Sequence, residues 1–188
     1  MNHKLYYVTN NAGKFEEVSH FFTKMAPSFH IKQWAIDIDE IQSLDQTIVV
    51  RDKVKKAYKR VQQPLLLDDG GLFFAAYHQF PGTLSKFVFQ GLGFKGLLKL
   101  VEDDNRASFI LQLAYTDGLQ TELFEGICQG SIVLPEDFSS HPTLPLTAIF
   151  KPDGSDKTLA QLRYTDHFFH FSFRQRALKK FVDWYQTR

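Results

Sequence analysis

The chain has 188 residues, with 22 Lys+Arg against 21 Asp+Glu, a formal net charge of +1, 44% hydrophobic residues and one cysteine. That length fits one domain spanning 1–188, or two lobes sharing a core, large enough to fold without a disulfide or zinc staple. Lone Cys128 excludes an intramolecular disulfide and a Cys-based zinc cluster, and the near-neutral charge argues against a nucleic-acid partner. No run approaches the ~18 apolar residues of a membrane span, and the start lacks the apolar core of a signal peptide. These features predict a soluble, cytoplasmic protein with no membrane partner.

In chain order, Lys4–Thr9 reads as a short buried strand running into the polar loop Asn10-Asn11-Ala12-Gly13-Lys14. Phe15, Val18, Phe22 and Met25 then recur on one face of a helix. A second strand is expected over Ile31–Ile38, and a second helix through Val50, Val54, Ala57 and Val61, ended before Pro64. Leu65-Leu66-Leu67 is too short and too apolar for a helix and reads as an interior strand, stopping at a turn, Asp68-Asp69-Gly70-Gly71. Phe94, Leu97, Leu98 and Val101 mark a third helix. Ser108–Thr116, Asp117-Gly118 and Gln120–Ile127 form a hairpin pattern. A strand over Ser131–Leu134, a proline-rich loop from Pro135 to Pro145 and a closing helix carrying Phe173, Ala177, Phe181 and Trp184 complete the chain. Alternating strands and helices followed by a hairpin predict a mixed α/β sheet.

Several segments carry chemistry-bearing residues. Loop Thr9–Lys14 sits between a strand and a helix start, where free N–H groups and the helix dipole suit a phosphate; it also reads as an ordinary connecting turn. Asp68-Asp69 follows a buried strand, in the position where α/β proteins place ligands, and suits Mg²⁺ or an activated water. A solvated, Asx-capped turn is the plainer reading. Gly70 and Gly71 allow close approach of a phosphate to the backbone. Lys53, Lys56 and Arg60 form a basic stripe on one helical face, which suits either a polyphosphate or solvent. Asp37, Asp39 and Glu40 form an acidic cluster. His167 and His170 lack a third metal ligand nearby in sequence, and Ser85 and Ser172 belong to no recognisable nucleophile motif.

Taken together these segments resemble the inosine-triphosphatase (Ham1-like) family of nucleoside triphosphate pyrophosphatases, over nearly the whole chain. Thr9-x-Asn11-x-x-Lys14 is similar to the family's opening motif, and Asp37-Ile38-Asp39-Glu40-Ile41-Gln42 to its segment with a metal-binding glutamate. Lys53 matches the family's second-helix lysine. Leu67-Asp68-Asp69-Gly70-Gly71-Leu72 resembles the catalytic D-D-S-G-L segment, and Ser172-Phe173-Arg174 with Ala177-Leu178 the closing S-H-R-x-x-A-L. Pro81-Gly82, Lys86, Arg106–Phe109, Phe124-x-Gly126 and Gly130-x-Ile132 extend the likeness. Departures concentrate where the family grips the purine: Thr147 and Ala148 stand for an aspartate and a proline, Phe168 for a lysine and Phe173 for a histidine.

The resemblance implies a long twisted mixed sheet flanked by helices, two lobes with a central cleft, and a homodimer. It implies Mg²⁺-dependent hydrolysis between the α and β phosphates of a non-standard nucleoside triphosphate, giving the monophosphate and pyrophosphate. Asp69 takes the catalytic place, Glu40, Asp68 and Asp69 hold the metal, and Thr9, Asn11, Lys14, Lys53, Gly70, Ser172 and Arg174 bind substrate. The departures imply altered base selectivity. Alternatives are a Maf-like pyrophosphatase for modified pyrimidine nucleotides, although its S-x-S-P-R-R opening is absent, a catalytically weak nucleotide-binding protein, or an interaction domain that inherits the fold.

Overall fold

The computed structural model describes residues 3–78 and 80–188. Its strands are β1 (His3–Val8), β2 (Phe29–Trp34), β3 (Leu65–Phe74), β4 (Pro81–Gly82), β5 (Arg106–Thr116), β6 (Thr121–Ile132) and β7 (Phe150–Pro152). Its helices are α1 (Ala12–Met25), α2 (Gln46–Val61), α3 (Ser85–Leu100), α4 (Leu159–Leu162), α5 (Phe168–Phe171) and α6 (Phe173–Gln186). The strands form one mixed seven-stranded sheet in the order β2-β1-β3-β5-β6-β7, with β4 paired to β3. The mixed α/β class expected from the sequence is the one found.

The chain divides into two compact units, Met1–Asp69 with Leu111–Gly126 and Arg174–Arg188, and Gly70–Ile110 with Ile127–Phe173. In the first unit β1 runs parallel to β2 along its whole length and to β3 at Tyr6–Leu65 and Tyr7–Leu66. Asn11 caps α1 and Asp45 caps α2, each side chain accepting a hydrogen bond from an otherwise unpaired first-turn N–H. The apolar stripe of α2 buries Val50, Val54, Ala57 and Val61 against Val8, Leu65, Leu67 and Ala114. Phe181 of α6 is fully enclosed among the rings of Phe22, Phe29, Tyr115 and Phe124. At the β5–β6 turn Gly118 takes φ +91°, a left-handed conformation that favours glycine, and the Tyr58 hydroxyl donates to the neighbouring Asp117 carbonyl.

In the second unit the end of β3 pairs antiparallel with β4, Leu72 opposite Gly82. A Cβ on Gly71 would collide with the Gly82 carbonyl, so glycine is what lets these backbones meet. α3 bends at Gly93, where φ is +61°. Phe109 stacks on Phe173 and meets Phe150 edge-on, at centroid distances of 4.7 and 4.9 Å.

Four expectations change. β3 does not stop at Asp68 but continues through Asp68-Asp69-Gly70-Gly71 to Phe74, because Leu72, Phe73 and Phe74 are themselves buried and extend the apolar strand beyond the acids. β2 covers Phe29–Trp34 rather than Ile31–Ile38, its register set by all six residues of β1. Ser131 and Ile132 are the end of β6, not the start of a separate strand. In α1 the exposed Met25 gives its place in the core to Phe21.

Candidate active site

Successive side chains of a strand point to opposite faces, so the two acids of β3 cannot share one environment. Leu67, two residues before Asp69, packs against the apolar face of α2, and Asp69 accordingly meets Gln46 at the start of α2. Asp68 turns the other way, among β1, α1 and α6. Each therefore acquires a different chemistry.

Asp68 is buried and fully engaged. Its Oδ2 accepts from the Tyr7 hydroxyl at 2.5 Å and from Arg174 Nε at 2.6 Å, and its Oδ1 from Lys14 Nζ at 2.6 Å. Arg174, 2% exposed, also donates through Nη1 to Glu17 Oε2 at 2.5 Å, so one guanidinium bridges two enclosed carboxylates. Burial alone would raise the Asp68 pKa, but the charges of Arg174 and Lys14, with hydrogen bonds from Lys14 and Tyr7, hold it far below the usual carboxylate range. Tyr7 is driven the opposite way, first by burial and then by the Asp68 charge, and stays a neutral donor.

Asp69 is half-buried. Burial raises its pKa above the ordinary value; Lys14 and Lys53 oppose the rise, while Glu40 and Asp68 add to it. Gln46 Nε2 donates to the Asp69 backbone carbonyl at 3.1 Å and approaches its carboxylate Oδ2 at 3.5 Å. Lys53 pairs with the Glu40 carboxylate. The rest of the basic stripe also grips the acidic segment: Lys56 Nζ donates to the Asp39 carbonyl at 2.9 Å and Arg60 Nη1 to the Asp37 carbonyl at 2.5 Å. Asn10 Nδ2 donates to the Asp37 carboxylate.

In the opening loop the Asn11 side chain accepts from Lys14 N at 3.0 Å, and Asn11 N donates to Thr9 Oγ1 at 3.1 Å. These bonds shape the strand-to-helix turn and deliver Lys14 to Asp68. The Lys14 side chain keeps 19% exposure, enough to meet a ligand from solvent, which the enclosed Arg174 does not.

Lys14, Asp68 and Arg174 are thus brought into direct contact, Lys53 and Glu40 into another, and Asp69 lies within the electrostatic reach of both groups. Glu40, Asp68 and Asp69 do not form a ready-made three-carboxylate cluster; among the described residues no group of three or more metal-ligating side chains is assembled. The reason is the strand alternation and the commitment of both Asp68 oxygens to cations and a phenol. Gly70 follows Asp69 in β3 with its surface exposed. Ser172 lies in the second unit, buried, its N–H donating to the Phe168 carbonyl at 2.9 Å. Tyr7, Glu17 and Gln46 were missed by sequence reasoning. Only Gln46 left a sequence signal: an amide on the apolar stripe that continues through Val50, Val54 and Ala57.

The sequence pattern of the Ham1 family matches residues 5–184. The chain belongs to the Ham1 family. It is 34% identical over 183 residues to the dITP/XTP pyrophosphatase of Thermococcus kodakarensis, covering 96% of each chain. It is 32% identical over 161 residues to the inosine triphosphate pyrophosphatase of Yarrowia lipolytica, covering 83% of this chain and 82% of that one. Among solved structures, the Ham1 protein of Staphylococcus aureus superposes with a TM-score of 0.74 at 21% identity over 98% of both chains, a likeness of fold.

In this Ham1 family member the Asp68 network makes stability pH-dependent with a definite sign. The folded chain keeps Asp68 ionised far below pH 4, whereas in the unfolded chain the group protonates at about 4. Its stabilisation is therefore complete above that value and is lost as pH falls below it, at up to about 1.4 kcal/mol per pH unit. Asp68→Asn lacks this contribution at every pH. Urea unfolding should show the gap between wild type and Asp68→Asn widest at pH 7 and narrowing between pH 4 and pH 3; a gap that does not change with pH contradicts the assignment.

Proposed function

We propose that this protein hydrolyses non-standard purine nucleoside triphosphates to the monophosphate and pyrophosphate. The observation that carries the reading is Asp69: a half-buried carboxylate within the fields of Lys14 and Lys53, in a chain one-third identical to dITP/XTP pyrophosphatases. A carboxylate held in a fixed place can orient a water and accept its proton. In the proposed step Asp69 orients a water and takes its proton as the water oxygen attacks the α phosphorus. The bond from that phosphorus to the α–β bridging oxygen breaks, and pyrophosphate leaves with the bond's electron pair. Lys14 and Lys53 neutralise the triphosphate tail with charge-assisted hydrogen bonds. Thr9 and Asn11, in the turn that carries Lys14, are proposed to bind the same phosphates.

The donor set fits a hard divalent cation such as Mg²⁺, which takes one or two carboxylates and completes its shell with phosphate oxygens and water. Glu40 and Asp69 would hold it, since the Glu40 charge already bears on Asp69. When bound, the cation polarises the phosphate and offsets developing charge. Asp68 does not suit this task, with both oxygens held by Tyr7, Lys14 and Arg174. Its part, with Arg174, is to anchor Lys14 and hold the strand end in place. A cytoplasmic homodimer is the setting the family resemblance implies.

Base selectivity is proposed to be weak. Phe168 and Phe173 are buried rings without hydrogen-bonding groups, Phe173 being stacked on Phe109, and the Thr147 hydroxyl donates to the Leu144 carbonyl at 2.6 Å. A site that reads a substrate by polar groups rejects analogues far more strongly than an apolar one, which manages only ~10–200-fold.

Two outcomes test this. Asp69→Asn should lower turnover of inosine triphosphate by ~10²–10⁴-fold with the melting temperature nearly unchanged; a variant retaining most of the wild-type rate removes Asp69 from the reaction. The ratio of kcat/KM for inosine over adenosine triphosphate should stay below about a hundredfold, and a larger ratio defeats the proposed loss of selectivity.

A further inference from the structure

Gln46 stands where the packing calls for a hydrocarbon. It is the first residue of α2, on the stripe that continues through Val49, Val50, Val54, Ala57 and Val61, and it is 7% exposed. An amide buried at such a position is costly unless its polar atoms find partners. Its Nε2 finds the Asp69 carbonyl at 3.1 Å and stands 3.5 Å from the Asp69 carboxylate. One side chain thus touches both the backbone and the carboxylate of the same residue.

We infer that Gln46 is a positioning residue that fixes the orientation of the Asp69 carboxylate for attack on the α phosphorus. The inference rests on the hydrolytic role proposed for Asp69 and adds a residue to it. A grip on the carbonyl sets where the Cα of Asp69 lies, and the nearby N–H of the same amide limits rotation of its carboxylate. The platform is rigid, because Asp45 caps the first turn of α2 through Thr47 N at 2.8 Å and the following turns are packed into the core. Lys14 and Lys53 supply charge on long flexible stems; Gln46 supplies direction. Misplacing a reacting group by about 1 Å is enough to cost ~10²-fold in rate.

The test uses the full chain with Mg²⁺ and inosine triphosphate. Gln46→Met keeps length and bulk without the donor, and Gln46→Leu offers a second apolar filling should the first fold poorly. Expected are a kcat 10- to 100-fold lower, a KM within threefold, and an unchanged calorimetric Kd for α,β-methylene inosine triphosphate, a non-hydrolysable analogue. A purely structural role would lower thermal stability while leaving kcat per folded molecule intact, and that result overturns the inference. A loss of analogue affinity that matches the loss of rate also overturns it, since Gln46 would then be a binding residue. Wild-type protein that releases no pyrophosphate from any triphosphate would instead defeat the proposed function itself.

Discussion

The buried carboxylate of Asp68 and the cations gathered on it hold β3, α1 and α6 together in the first unit. Arg174 reaches it from α6 across 106 positions of sequence, and reaches Glu17 of α1 across 157, so one guanidinium ties α1, β3 and α6 together. Buried ion pairs of this kind contribute little net stability over apolar packing, but removing one partner leaves an uncompensated charge, at a cost of about 3–5 kcal/mol. Their effect is geometric. With Tyr7 and Arg174 on one oxygen and Lys14 on the other, Asp68 has one orientation, and the loop that Asn11 shapes must bring Lys14 to it.

Two adjacent acids consequently sit in different surroundings. Asp68, surrounded by cations, is held ionised far below the usual range; Asp69, half-buried beside Glu40 and facing α2, is pushed up. Neighbouring titratable groups whose surroundings drive them in opposite directions are a recurrent sign of divided acid–base labour. The pleat of β3 makes the division possible, and it also explains why a three-carboxylate metal cluster is not preassembled. The basic stripe of α2 belongs to the same arrangement: Lys53, Lys56 and Arg60 contact Glu40, the Asp39 carbonyl and the Asp37 carbonyl.

Much of this was legible from the sequence. The apolar stripe of α2, the Leu65–Leu67 strand, the hairpin around Asp117-Gly118 and the closing helix each follow from a local period or turn signal, and Thr9-x-Asn11-x-x-Lys14 with Asp68-Asp69 marks the chemistry. The length of β3 was not legible, because two acids and two glycines look like a turn until Gly82 is seen to pair across from Leu72. The surroundings of Arg174 were not legible for a related reason. An arginine in a family motif reads as a phosphate ligand, and only the distant Glu17 and Asp68 reveal that it is enclosed. Tyr7 carries no periodic signature as a polar partner, and Gln46 shows only as an amide on an apolar stripe; their partners lie 61 and 23 positions away.

In the proposed reaction water, directed by Asp69, attacks the α phosphorus of a bound triphosphate. Turnover of inosine triphosphate in ¹⁸O-enriched water, followed by ³¹P NMR, tests it most directly. Pyrophosphate should form unlabelled, with ¹⁸O in the monophosphate. Label in the pyrophosphate, or release of orthophosphate with a nucleoside diphosphate, would contradict it.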